Sequence, residues 1–423
     1  MQSRRWLLSS WGSAGDVFPF LALARGLVAR GHSVTLVLDP MWKERAILTG
    51  ARFVPLLKQS QQDLLRTLPQ VITSAVVGAK ALTLLIRHGI VPIYHESFQR
   101  LYKEARGHDA IIAHHFGFPA ADVALALDIP LFTVTLSPGI VPGKNQAPAS
   151  LPFHWPSSSA FSPLSWMIWK VGRYMMRAIV DSALNPIRIT HGLPKGKDLF
   201  FSGFRKDFLL QLYSSHFAKA AEDWPEDWRP LGFSFYDEAV DAALHDPALR
   251  AFLNAGDAPW LFTLGTTIIE HPGDFFTDSL KGIGERRAIF LAGRHAPRLK
   301  NLFSKFTNLY VTDYIPLQLI LPRCSGAIHQ CGIGTLAQIL RAGIPSVAVP
   351  FAFDQPQNAI RLERLRLAIK IPASKFSPSR LAKALTTIEK DPTYAANATL
   401  LAKKIGAEDG VKNAISRLES SPL

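Results

Sequence analysis

Residues 4–38 read RRWLLSSWGSAGDVFPFLALARGLVARGHSVTLVL, and this stretch decides the fold. The apolar run over 4–11 has the composition of a buried strand, a glycine-bearing loop follows at 12–19, and 21–30 carries its leucines and valine at helical spacing. Gly31 stands where a helix is commonly closed by a left-handed residue, and 33–38 (SVTLVL) reads as a second strand. Strand, short loop, helix and strand within about 35 residues form a βαβ unit, and such units build parallel sheets. The rhythm recurs outward from there. Ala110 to Ala113 and Pro130 to Leu136 read as strands around a helix at Ala120 to Leu127. Later come strands at Trp260 to Leu264, Ala288 to Ala292, Leu309 to Thr312, Gly326 to His329 and Ser346 to Val349, with helices at Asp274 to Gly282 and Thr335 to Arg341. Two sets, each opening strand, glycine-rich loop, helix, predict an α/β protein of two doubly wound domains.

The chain's 423 residues suit that number, since each domain can then bury a full core. Residues 223–235 (DWPEDWRPLGFSF) are rich in Pro, Trp and acid and lack periodicity, so the boundary is expected there. The expected layout is a first domain over 1–222, a linker over 223–239, a second domain over 240–405 and a helical tail over 406–423. Residues 137–215 interrupt the α/β rhythm with Pro, Ser and aromatics, as an insertion that shapes a binding mouth would.

Composition excludes several classes. Hydrophobic residues make up 48% and charged residues 19%, which rules out disorder as the main theme. Two cysteines exclude a disulfide scaffold and a Cys-rich metal site and fit a reducing cytosol. The N-terminal apolar run is too short for a signal peptide, and Val71 to Ile86, broken by Lys80, is too short to span a bilayer. A cytoplasmic protein is the expectation. Residues 1–215 hold 23 Lys and Arg against 12 Asp and Glu, so most of the formal +14 lies in the first half. That surface suits an anionic membrane face or a phosphorylated substrate, or is simply solvated. Nucleic acid is not expected, because neither zinc-finger spacing nor an aromatic-basic RNA signature occurs.

Three clusters can carry chemistry. The first is 12–19 (GSAGDVFP), at the carboxyl edge of the first strand, where open parallel sheets bind ligands. Its Asp16 reads either as a helix cap or as a base. The second is 326–335 (GAIHQCGIGT): Gly332 and Gly334 let backbone amides approach an anion, Thr335 offers a hydroxyl, and the next helix aims its positive end at the same spot. His329, ending the strand, can donate to a phosphate oxygen. No Asp-x-Asp pair occurs in the chain, so a metal clamp on a diphosphate has no evident ligands and no metal is expected. The third is 350–358 (PFAFDQPQN), whose Asp354 and Gln355 suit vicinal hydroxyls on a sugar ring.

Residues 326–362, with His329 to Thr335, Arg341 to Pro345 and Pro350 to Leu362, resemble the nucleotide-sugar signature of family 1 glycosyltransferases. The similarity extends to 12–20, to Gly31-His32 and to 261–267 (LFTLGTT), and so covers most of both domains. It is strongest toward the bacterial branch that includes the rhamnosyltransferases of rhamnolipid synthesis and the sterol or macrolide glycosyltransferases. The resemblance implies the GT-B fold, two facing Rossmann-like domains with an interdomain cleft, the first binding the acceptor and the second the nucleotide sugar. It implies that His329 and the Gly332, Gly334, Thr335 turn hold the diphosphate with Thr266, and that Tyr314 and Ile315 meet the base. Asp354 and Gln355 would hold sugar hydroxyls. It also places Asp16 where many relatives carry a catalytic His, which makes Asp16 the candidate base. Cys331 departs from the pattern, standing where relatives usually carry Gly.

The function expected is inverting, metal-independent transfer of a rhamnose- or glucose-type sugar from a UDP- or dTDP-linked co-substrate, with no cofactor. A nucleotide-sugar epimerase and a non-catalytic partner subunit are the rival readings. The aromatics of the insertion, interleaved with basic residues, suggest a lipid, sterol or polyketide acceptor and a peripheral contact with the inner membrane face. Ser13, His114, His115, Phe153, Trp155 and Trp166 are the acceptor-side candidates; for the His pair a purely structural role stays open. So does a core role for Trp166 and Trp169, which are three apart on one helix face.

Overall fold

The computed structural model describes residues 3–58, 79–149, 162–204, 208–238 and 246–423. It divides into two units, one running to Tyr236 and regaining Glu408–Leu423, the other spanning Asp237–Ala407.

In the first unit the strands are β1 (Arg5–Ser9), β2 (Ser33–Leu38), β3 (Arg52–Pro55), β4 (Ala110–His114), β5 (Leu131–Thr135) and β6 (Leu209–Gln211). They form one sheet in the order β3-β2-β1-β4-β5-β6, every pair parallel. Trp6, Leu7 and Leu8 of β1 are fully buried, as are Leu36 to Leu38 of β2. Such unbroken apolar runs are what a sheet covered on both faces requires.

The helices that matter for the site are α1 (Ala14–Ala29), α2 (Phe118–Leu127) and α3 (Ser162–Thr190). α1 begins seven residues before the run of helical spacing suggested, with Pro19 inside it. The reason is local: the Asp16 carboxylate reaches back to the Ser13 backbone N–H and closes the first turn. The insertion after β5 is mainly α3, a 29-residue helix, and the last strand β6 lies inside the stretch expected to be an insertion.

The second unit repeats the plan with β7 (Trp260–Thr263), β8 (Ala288–Leu291), β9 (Leu309–Thr312), β10 (Gly326–His329), β11 (Ser346–Ala348) and β12 (Ala368–Lys370). Their order is β12-β11-β10-β7-β8-β9, again all parallel. Counted from each unit's own first strand, the two sheets have the same order, 3-2-1-4-5-6. Helices α4 (Ile333–Ala342) and α5 (Gln355–Arg364) follow β10 and β11. The last helix, α6 (Gly410–Ser420), belongs to the first unit, where Arg4 donates to the Leu418 carbonyl and Arg30 and His32 meet Glu419. Among the described residues, no helix is long and apolar enough to cross a membrane.

Strand order locates the sites. Each sheet reverses its winding between its first and fourth strands, β1 and β4 in one unit, β7 and β10 in the other. The loops leaving those strand ends splay apart and open a crevice, where doubly wound sheets bind ligands.

Candidate functional site

The crevice of the first unit lies between the loop after β1 and the end of β4, and it gathers Ser13, Asp16 and His114, with His115 packed behind His114. Asp16 uses its two carboxylate oxygens differently. Oδ2 accepts from both the backbone N–H and the hydroxyl of Ser13, at 2.8 Å each. Oδ1 accepts no hydrogen bond among the described residues and lies 3.8 Å from Nε2 of His114, the side chain being 31% exposed. Burial raises the Asp16 pKa above the usual carboxylate value, and the Ser13 bonds oppose that rise. The cap and base readings are therefore compatible at the level of single atoms, since one oxygen caps the helix and the other is available. Gly12 has φ +112°, and a Cβ there would sit 2.6 Å from Asp16 Oδ2, so only glycine fits so close to this carboxylate.

His114 is buried, and its Nδ1 accepts the Phe116 N–H at 3.4 Å. Burial lowers its pKa to about 3, so it is neutral at physiological pH. His115 packs its ring 4.2 Å from that of His114, and neither of its ring nitrogens finds a partner among the described residues. Burial and the neighbouring His114 hold its pKa well below the ordinary value.

Of the other acceptor-side candidates, Phe153 and Trp155 lie outside the described residues. Trp166 is 65% exposed on α3, with Lys170 Nζ 5.2 Å from its ring centroid, so it is not part of the core. Trp169 is partly buried and donates to the Gln146 carbonyl at 3.0 Å. Met167, Val171, Tyr174 and Met175 are exposed along the same helix.

In the second unit, β10 delivers His329 to the crevice edge, fully buried. Its Nδ1 accepts the Cys331 N–H at 3.2 Å, which leaves the proton on Nε2, 3.3 Å from Ser346 Oγ. In this arrangement both nitrogens have partners inside the unit, and the ring braces the Cys331 amide. Burial lowers its pKa to about 3. Cys331 itself has φ +67°, in the left-handed region that favours glycine, which is the physical reason a Gly suits this position. Its thiol is fully buried, and burial together with the charge of Asp354 raises its pKa.

Gly332 caps α4, with Gly334 and Thr335 in its first turn, all partly exposed. Gln330, quoted within the motif but given no role from sequence, proves central. Its amide nitrogen lies where a Cβ on Gly265 (φ +63°) would fall, 2.1 Å away, and near Gly332 on the other side. One buried side chain thus spans the turns after β7 and β10. Thr266 is exposed in the turn after β7. Asn358, also without a role from sequence, donates to the Cys331 carbonyl and to Asp354 Oδ2, tying α5 to the turn. Gln355 spends its carbonyl oxygen on the amides of Phe351 and Ala352. Tyr314 is 45% exposed with its hydroxyl on Glu238, whereas Ile315 is packed in the core beside Leu291 and Ile320. Gln330, in a loop, and Asn358, in the first turn of α5, escape sequence reading because such amides are common, and only the fold shows what they bridge.

Two family models match the chain: the glycosyltransferase family 28 N-terminal domain over residues 6–56, and the erythromycin biosynthesis protein CIII-like C-terminal domain over 287–420. An O-mycaminosyltylonolide 6-deoxyallosyltransferase of Streptomyces fradiae is 28% identical over 98% of this chain and 97% of its own length. A sterol 3-beta-glucosyltransferase of Arabidopsis thaliana is 26% identical over 96% of this chain, which spans 63% of that relative. Among solved structures, the glycosyltransferase of kitacinnamycin superposes with a TM-score of 0.70 at 20% identity, covering 99% of both chains. A Streptomyces sp. SF2575 glycosyltransferase complexed with thymidine diphosphate gives 0.66 at 16% identity, covering 99% of this chain and 100% of that one. At such identities the structures show the fold, which is GT-B.

Proposed function

We propose that this chain, a family 1 glycosyltransferase of the GT-B fold, moves a hexose from a UDP- or dTDP-activated donor to a hydroxyl of a hydrophobic acceptor, with inversion and without a metal. The observation that carries the reading is the split use of the Asp16 carboxylate, one oxygen tied to Ser13 and the other without a hydrogen bond among the described residues, facing His114. In the first unit, Asp16 Oδ1 would take the proton of the acceptor hydroxyl as its oxygen attacks the anomeric carbon. The C–O bond to the diphosphate breaks on the opposite face, and the leaving group carries the charge away. In the second unit, the amides at the start of α4 and the Thr335 hydroxyl would hold that diphosphate, assisted by the positive helix end. Backbone amides and a helix end stabilise an anion without a cation, and this supports a metal-independent reaction. Asp354 and Gln355, beside the same turn, are proposed for the sugar hydroxyls. An elevated pKa makes Asp16 a better base than an ordinary aspartate once ionised.

A hydrophobic acceptor is supported by the relatives' names, which specify O-mycaminosyltylonolide and sterols, and by the exposed Trp166, Met167, Val171 and Tyr174 on α3. A thymidine diphosphate complex of a structural neighbour supports a nucleoside diphosphate donor. The same exposed aromatics and the basic first half support a peripheral contact with an anionic membrane face.

The test pairs binding with turnover. Thermal shifts with UDP, dTDP and their glucose and rhamnose derivatives identify the donor, because a ligand of the folded state raises Tm by mass action. Release of the nucleoside diphosphate is then followed with 1-alkanols of increasing chain length and with a sterol, with and without EDTA. Rates should rise with chain length, about 0.8 kcal/mol of binding for each methylene buried. Absence of release by the purified protein with every pair would favour a non-catalytic subunit. Strict dependence on Mg²⁺ or Mn²⁺ would refute the metal-free cradle.

A further inference from the structure

We infer that Gln330 is a ligand contact in the crevice of the second unit, its side-chain Nε2 donating to an oxygen of the bound diphosphate. The inference rests on the reading of that crevice as the nucleoside diphosphate site. Gln330 is 6% exposed, its Oε1 is buried, and neither end of its amide makes a hydrogen bond among the described residues. Buried side-chain amides are rarely left so, because an unmet polar group keeps the full penalty of losing water. The other amides around this turn obey the rule. Asn358 donates to two oxygens, and Gln355 accepts from two backbone N–H groups.

The unpaired amide stands at the switch point itself. His329 and Thr263 end β10 and β7 opposite each other, so Gln330 and Gly265 lie just beyond the two strand ends. Nε2 is the atom of Gln330 nearest both glycines, 2.1 Å from where a Cβ on Gly265 would fall and 3.0 Å from one on Gly332. A side chain at Gly265 would take the room this nitrogen uses. Gly332 is also the N-cap of α4, a helix of ten residues whose N-terminus no side chain caps. The first amides of such a helix point outward, with the positive end of its dipole behind them. Nε2 adds an uncharged side-chain donor to that set. Donors gathered at a helix N-terminus suit an anion rich in acceptors, as a diphosphate is, better than a hydroxyl that brings a proton of its own.

A polar group kept for a ligand behaves unlike a packing group, since removing it spares or strengthens the free protein and weakens the complex. Gln330→Met keeps the length of the side chain and drops both polar ends. The Tm of free Gln330→Met, read by scanning calorimetry, should equal or exceed that of the wild type. Its affinity for whichever of UDP or dTDP the wild type binds, read by isothermal titration, should fall about 10- to 100-fold, the range for a hydrogen bond to a charged group. Gln330→Glu holds the shape but offers a negative charge and acceptors only, and should bind at least as weakly. In wild-type protein labelled with ¹⁵N-glutamine, the side-chain NH₂ signal missing from either variant should shift when the nucleoside diphosphate is added. It should stay still with the parent nucleoside. Affinity within about threefold of wild type in Gln330→Met or Gln330→Glu, or an amide signal that ignores the diphosphate, overturns the inference. A lower Tm for Gln330→Met with unchanged affinity makes Gln330 a packing residue and overturns it too. Where Tm and affinity fall together, the amide signal decides. Failure of the wild type to bind either UDP or dTDP refutes the nucleotide reading of the crevice, a different result.

Discussion

Gly12→Ala strains the proposed base directly. The added Cβ would sit 2.6 Å from Asp16 Oδ2 and 3.1 Å from its Cγ. Ordinary contact begins at 3.4 Å, so the oxygen must retreat by about 0.8 Å, and misplacement on that scale is enough to cost roughly 100-fold in rate. The retreat also breaks or stretches the two bonds from Ser13, and the backbone at φ +112° resists any side chain. Together, a strained backbone of about 1–3 kcal/mol and a weakened charged hydrogen bond of about 1.5–3 kcal/mol should lower Tm by several degrees. Gly31→Ala is the matched control. Its φ is +83°, yet nothing lies within 4 Å of the new Cβ, so it carries backbone strain without touching Asp16. Both variants should melt earlier in scanning fluorimetry, and both should keep the thermal shift given by the donor nucleotide. Only Gly12→Ala should lose kcat. If Gly12→Ala turns over within about threefold of Gly31→Ala, the position of the Asp16 carboxylate does not matter to the reaction, and the reasoning from its geometry fails.

Three further outcomes are expected. Asp16→Asn should cut kcat at least ~100-fold while leaving donor affinity intact, measured by turnover and by isothermal titration with the nucleoside diphosphate. Cys331→Gly should be more stable than Cys331→Ala by about 1 kcal/mol in urea unfolding, because both lose the thiol but only glycine accepts φ +67° freely; equal midpoints would contradict the left-handed turn. Stability should fall on acidification below pH 6.5. His114 and His329 have folded pKa values depressed to about 3, so the unfolded chain binds their protons first, and stability present above 6.5 is lost as pH drops toward 3. At pH 5 each amounts to about 2 kcal/mol, and replacing His329 by Gln should flatten the dependence of Tm on pH.

The nine strands that sequence periodicity predicts are all present, and the three it misses, β3, β6 and β12, are edge strands of three or four residues. Central strands of a doubly covered sheet are read as long apolar runs, because every position is buried. A three-residue edge such as LLQ or AIK has no period to detect and exists only because a neighbour offers its hydrogen bonds. The site was legible to the same depth. The glycine-rich turns and Asp16 follow from strand–loop–helix logic, since strand order puts those loops at the switch points. What each polar atom does was not legible. His329 ends a strand as expected, yet turns both nitrogens inward, because a ring on the last strand residue can face either the loop or the neighbouring strand. Trp166 has the spacing of a core residue and is exposed, since helical period says which residues share a face and not what covers it.

The protonation states of the site argue for Asp16 from a second direction. Three histidines lie at the two switch points, and from composition each is a candidate base near neutral pH. Burial removes all three: His114 and His329 are held at about 3 and His115 well below its ordinary value, so none can keep a proton taken from an acceptor. Asp16 is the remaining group at the switch point of the first unit that titrates, and its pKa moves the other way, upward. The same burial that disqualifies an imidazole improves a carboxylate, because desolvation disfavours whichever form is charged. A chain with aspartate in the first loop and histidine at the end of β4 therefore gains nothing from making the histidine the base. It gains instead an ionisable group of raised basicity in the first loop.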